Sequence, residues 1–91
     1  MEGVRGRRSR SEVIVDILNE ALSGANKTRL MYRCNLNFTR FNRYLRELLD
    51  SGLIECFGSN SNPGDLILYR TTDKGRELLQ VLRKANDLMS I

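Results

Sequence analysis

The spacing of apolar residues changes once along this 91-residue chain, and that change constrains the fold more than any other feature. Up to Gly52 the apolar side chains recur at helical intervals. Val13, Ile14, Ile17, Leu18, Ala21 and Leu22 form one stripe, with Asp16, Asn19 and Glu20 on the opposite side. Such a stripe predicts a helix buried along one face. Ser9 and Glu12 in front of it make the S-x-x-E pattern of a capping box, and Gly24 offers a left-handed stop, so the helix is expected over 10–23. Asn26 caps a short second helix through Cys34, with Leu30, Met31 and Cys34 inward. Asn35-Leu36-Asn37 reads as a turn in which Asn37 is a good N-cap. A third helix is expected over 38–51, with Phe38, Phe41, Leu45, Leu48 and Leu49 as its buried stripe and Gly52 at its end.

Beyond Gly52 the pattern shortens. The runs Leu53 to Phe57 and Leu66 to Arg70 flank Gly58-Ser-Asn-Ser-Asn-Pro-Gly64, a stretch of dense turn chemistry. Together they predict a two-stranded hairpin. Thr72 and Asp73 open a last helix, whose apolar positions are Leu78, Val81, Leu82, Ala85, Leu88 and Met89. The order helix, helix, turn, helix, hairpin, helix is that of a winged helix-turn-helix, a mainly α fold with a small β-hairpin. The domain is expected over 9–76. Residues 1–8 lack periodicity and read as a mobile basic arm, and 77–91 as the outer part of the last helix.

Several classes of function are excluded early. One domain of this size has little room for a deep substrate cavity. The 41% hydrophobic and 29% charged content argues against wholesale disorder. No apolar run approaches a membrane span, and no apolar segment follows the N-terminal arginines as in a signal peptide, so a cytoplasmic location is expected. With no histidine, a His-containing triad is impossible, and the scattered carboxylates offer neither a zinc site nor an acid/base pair. The chain therefore reads as a non-enzyme without cofactor or metal. Cys34 and Cys56 are expected as small apolar core residues.

The charge is uneven. Net charge is +4, but residues 1–46 carry +6 and residues 47–91 carry −2. Lys27, Arg29, Arg33, Arg40, Arg43 and Arg46 fall in a run without a single acid. A one-signed stretch of this length points to a polyanion partner. On a helical wheel, Thr39, Arg43, Arg46 and Glu47 lie opposite the apolar arc of the third helix, flanked by Arg40 and Asn42. A recognition helix meets the groove with its N-terminal half, here Asn37, Thr39, Arg40 and Arg43. Arginine can pair with guanine and asparagine with adenine. Arg46, Lys27, Arg29 and Arg33 are candidates for phosphate contacts, and Arg5, Arg7, Arg8 and Arg10 for following the backbone or entering a minor groove. Tyr32 and Tyr44 are expected as half-buried structural residues.

The segment Ala25-Asn-Lys-Thr-Arg-Leu-Met-Tyr-Arg-Cys-Asn-Leu-Asn37 resembles the helix-turn-helix of small archaeal winged-helix DNA-binding proteins, a family of transcriptional regulators and chromatin proteins. Leu49-Asp-Ser-Gly-Leu-Ile54 is similar to their exit from the recognition helix. Tyr69-Arg-Thr-Thr-Asp-Lys-Gly-Arg-Glu-Leu-Leu79 is similar to their passage from wing to last helix. The resemblance implies binding of double-stranded DNA through the third helix and the wing, and dimerisation through the last helix. Two departures stand out. The wing loop carries no Lys or Arg and is followed by Asp65, which argues against a strong phosphate grip there, although Asn60 and Asn62 can still hydrogen-bond. Thr71 stands where such proteins often carry an apolar residue, which implies looser packing of that strand end.

Leu78, Leu82, Ala85 and Met89 follow the 4-3-4 spacing of a coiled-coil seam, widened by Val81 and Leu88. The outer part of the helix is expected to outrun the core, leaving Leu88, Met89 and Ile91 exposed unless a second copy covers them. The leading expectation is a homodimeric DNA-binding regulator or nucleoid protein that reads the major groove with helix 38–51. The alternative is a winged-helix module that docks a protein partner; such a face should show exposed aromatics and leucines rather than Arg and Asn.

Overall fold

A computed structural model describes residues 8–58 and 67–89. The elements run α1 (Arg10–Glu20), β1 (Ala25–Asn26), α2 (Lys27–Arg33), α3 (Phe38–Asp50), β2 (Ile54–Phe57), β3 (Leu68–Thr71) and α4 (Asp73–Met89). Short polar side chains set the helix starts. The Ser9 hydroxyl accepts from the Glu12 N–H at 3.2 Å, and the Glu12 carboxylate accepts from the Ser9 N–H at 2.7 Å, so both halves of the capping box are made. Asn26 and Asn37 each accept from the backbone N–H three residues on, at 2.8 Å. These bonds satisfy donors that have no partner inside the helix. α1 ends at Glu20, three residues earlier than the stripe suggests. Gly24, at φ 96°, then turns the chain where the Phe57 ring would stand only 2.8 Å from any added Cβ.

The three strands form one antiparallel sheet in the order β1-β3-β2. Ile54 faces Thr71 and Cys56 faces Tyr69 across the hairpin, while Ala25 pairs with Tyr69 on the other edge of β3. β1 is absent from the sequence expectation because two residues carry no periodicity to detect. Thr71, expected to loosen the strand end, is instead buried. Its N–H donates to the Ala21 carbonyl at 2.9 Å and its hydroxyl to the Leu18 carbonyl at 2.7 Å. Both acceptors lie at the C-terminal end of α1, where intrahelical donors run out. A polar residue is what this position needs.

Val13, Ile17, Leu18, Leu30, Cys34, Phe41, Leu45, Leu48, Ile54 and Leu79 form the centre of a single core shared by all four helices and the sheet. Three expectations need correction. Phe38 has the right angle on the wheel but is 63% exposed, because the first turn of α3 projects beyond the core and Leu36 enters it instead. Cys56 is exposed: it shares a sheet face with Ile54, but burial falls along the hairpin from Ile54 and Thr71 towards the wing. Along α4 the fully buried apolar side chain is Leu79, which the seam reading passes over, with Leu78 and Leu82 only half-buried. Cys34 lies in the core as expected. Burial, followed by the nearby Asp16 and Glu20 carboxylates, pushes its thiol up to about 11.

Candidate nucleic-acid interface

Burial of Phe41, Leu45 and Leu48 fixes the rotation of α3 about its axis. Thr39, Arg40, Arg43 and Arg46 consequently point outward, with Asn42 half-buried. An open cleft of about 690 Å³ lies between α3, the start of α2 and Tyr69 of β3. Lys27, Thr39, Asn42, Arg43 and Arg46 line it, over an apolar floor that includes Leu45, Leu49 and Tyr69. Asp50 is the acid in its lining. Tyr69 is the member that the sequence reading missed. Burial, and secondarily Cys56, raises the pKa of its phenol. Its signal was the sheet register, which a hairpin pattern alone does not contain.

Among the described residues, Lys27, Arg29, Arg40, Arg43 and Arg46 pair with no acid. Arg33 differs, since its guanidinium lies 3.5 Å from Glu20 on α1. Arg40 and Arg29 are exposed but lie outside the cleft. The Asn37 Oδ1 is occupied as the α3 cap, so the side chain is not wholly free to read a base. Asn60 and Asn62 lie outside the described residues.

Two arginines given to the arm or to DNA backbone are engaged within the domain. Arg8 sits 2.5 Å from the Asp16 carboxylate and donates to the Cys34 carbonyl at 2.6 Å, bracing α1 against the turn between α2 and α3. The remainder of the arm, with Arg5 and Arg7, lies outside the described residues. Arg10 pairs with Glu47 at 2.9 Å and lies over the Tyr44 ring, 5.7 Å from its centre. Glu47 is thereby turned towards α1, and Tyr44 packs half-buried as expected. Tyr32 does not: it is 82% exposed, beside a second open depression that Met31, Arg33 and Leu36 share.

Three helices around one core, a hairpin beside the third, and a fourth helix returning across the first define a winged helix-turn-helix. The chain belongs to the winged helix-turn-helix family, which it matches over residues 7–90. A protein of the archaeon Methanocaldococcus jannaschii, the uncharacterized protein MJ0287, is 32% identical over 87 residues, covering 94% of this chain and 81% of its own. Among solved structures, Sso10a-2, a DNA-binding protein from Sulfolobus solfataricus, superimposes with a TM-score of 0.77 at 24% identity, over 91% of this chain and 83% of that one. CouR, a transcriptional repressor bound to a 23-mer DNA duplex, superimposes with a TM-score of 0.66 at 26% identity, over 92% of this chain and 58% of that one. Among the described residues, no helix is long and apolar enough to cross a membrane.

Proposed function

We propose that the protein is a regulator or nucleoid component that binds double-stranded DNA, with α3 in the major groove. The carrying observation is the set of five cations without acidic partners among the described residues, three of which (Lys27, Arg43 and Arg46) converge on one open cleft with Thr39 and Asn42. Charges held apart from internal acids, beside groups able to read base edges, suit a phosphate-flanked groove. The description of Sso10a-2 as DNA-binding, and of CouR as a repressor on a duplex, support the same reading. Asn37, Thr39, Arg40, Asn42 and Arg43 supply the base-facing set, while Arg46, Lys27 and Arg29 supply phosphate contacts. Arg33 contributes less because Glu20 already holds it. With this reading go a cytoplasmic, nucleoid-associated location and a homodimer joined through Leu78, Leu82, Ala85, Leu88 and Met89.

Three phosphate contacts, from Arg46, Lys27 and Arg29, give a log–log slope of affinity against salt of roughly −3 for each bound protomer. Titration of a labelled duplex at several salt concentrations measures it. No binding at low salt, or a slope near zero, overturns the proposal. The second reading, a protein-docking module, draws on the exposed Tyr32 and Phe38, the kind of residue a docking face presents. It predicts that little affinity for duplexes survives physiological salt.

A further inference from the structure

Phe38 is the least explained residue on the face proposed to meet DNA. It occupies the first helical position of α3, is 63% exposed, and takes no part in the core. Isolated apolar side chains are common on surfaces, so exposure alone says little. The placement says more. Phe38 and Asn42 stand at i and i+4 on one side of the N-terminal half of the helix, with Thr39 and Arg43 about 100° further round. Three of them, Thr39, Asn42 and Arg43, line the cleft. The fourth stands beside its Lys27 end, with the Lys27 ammonium 6.0 Å from the ring centre. In the major groove, polar side chains read the donors and acceptors of the base edges. The apolar feature available there is the 5-methyl group of a pyrimidine.

We propose that Phe38 is a specificity-determining residue that packs its ring against a pyrimidine 5-methyl group in the major groove, while Lys27 beside it engages a flanking phosphate. Thymine and 5-methylcytosine both present that group. The inference rests on the DNA-binding reading above and deepens it. It assigns to this protein a preference for a methyl-bearing pyrimidine opposite the start of α3, a preference that arginines and asparagines alone do not supply.

The test uses the full chain and one duplex, selected from a randomised pool and then synthesised in three versions: with thymine, with deoxyuridine in its place, and with 5-methylcytosine replacing cytosine. Wild type should bind the thymine duplex about fourfold more tightly per contacted methyl than the deoxyuridine duplex. Phe38→Ala should bind both equally. Since the ring is outside the core, this variant keeps its fold, which circular dichroism checks. Lys27→Gln should weaken binding to all three duplexes and flatten the salt slope by about one, yet retain the preference for thymine. Tighter binding of wild type to the 5-methylcytosine duplex, lost in Phe38→Ala, identifies cytosine methylation as a second source of the methyl group; equal binding assigns the contact to thymine. The inference is overturned if wild type fails to distinguish thymine from deoxyuridine, or if Phe38→Ala still does. Failure to bind any duplex at low salt overturns the DNA-binding reading itself, so the two failures are separable.

Discussion

Replacing Gly75 with alanine tests how firmly α4 is seated on the exit of α3. A Cβ at residue 75 would lie 2.2 Å from the Leu53 carbonyl oxygen and 2.7 Å from Thr71 Cγ2. The first is backbone and the second a buried side chain, so neither yields by a simple rotation. Ordinary contact requires the start of α4 to withdraw by about 1 Å. That start is held by three hydrogen bonds: the Thr72 N–H to the Leu53 carbonyl at 3.0 Å, the Thr72 hydroxyl to the Gly52 carbonyl at 2.7 Å, and the Lys74 ammonium to the Ser51 carbonyl at 2.8 Å. Overpacking costs about 1–3 kcal/mol, and each weakened bond adds about 0.5–1.5 kcal/mol. Against this, alanine is better than glycine within a helix by about 1 kcal/mol. With about one bond lost in all, the net expectation is destabilisation of about 2 kcal/mol. In urea, with a slope of about 1–1.5 kcal/mol per molar for a domain of this size, the midpoint should fall by about 1.5 M. Protein concentration must be fixed, because the midpoint of the proposed dimer depends on it. Arg76→Ala, one residue on and exposed, should move the stability by no more than about 0.5 kcal/mol. An unchanged or raised midpoint for Gly75→Ala would mean that α4 shifts freely, and would refute the argument that this junction is rigid.

Two further outcomes are expected. Arg43→Ala should cost about 1–3 kcal/mol on a preferred duplex and relax base preference there, whereas Arg83→Ala, of equal charge, should change DNA affinity little because Arg83 reaches back to the Asn19 side chain on α1; equal losses measured on specific and scrambled duplexes would show that charge alone matters. Joint replacement of Leu82 and Met89 by glutamate should convert the proposed dimer to monomer in sedimentation and weaken DNA binding, since two linked half-site contacts become separate ones; a monomeric wild type at high protein concentration, or a dimeric variant, contradicts the seam.

The parts legible in the sequence are those where local chemistry decides. Ser9, Asn26 and Asn37 announce their helices because the cap bond spans only three residues. The stripes Val13–Ile17 and Phe41–Leu45–Leu48 are equally local, since helical rotation alone brings each to one face. What escaped depends on position along an element rather than angle around it. Phe38 has a core angle but stands one turn too early. Cys56 has a core face but lies too far along the hairpin, and Leu79 rather than the seam residues anchors α4. Periodicity contains no information about where the neighbouring element ends. The contacts of Arg8 with Asp16 and of Arg10 with Glu47 span 8 and 37 residues, beyond any local rule.

The same distinction runs through the candidate site. The acid-free run from Lys27 to Arg46 is visible as composition, but only the fold separates its members. Arg33 is drawn to Glu20, while Arg43 and Arg46, beside the cleft, have no acidic partner among the described residues. Arg10 also takes up Glu47, the acid closest in sequence to the basic face of α3, and turns it towards α1. An acid left free on α3 would repel phosphate; held by Arg10, it supports the packing of α1 against α3 instead. The Arg10 pair thus keeps Glu47 away from the basic face and leaves Asp50 as the acid in the cleft lining, and on the proposed DNA-binding reading the cations that matter most for a polyanion are those without an acidic partner among the described residues.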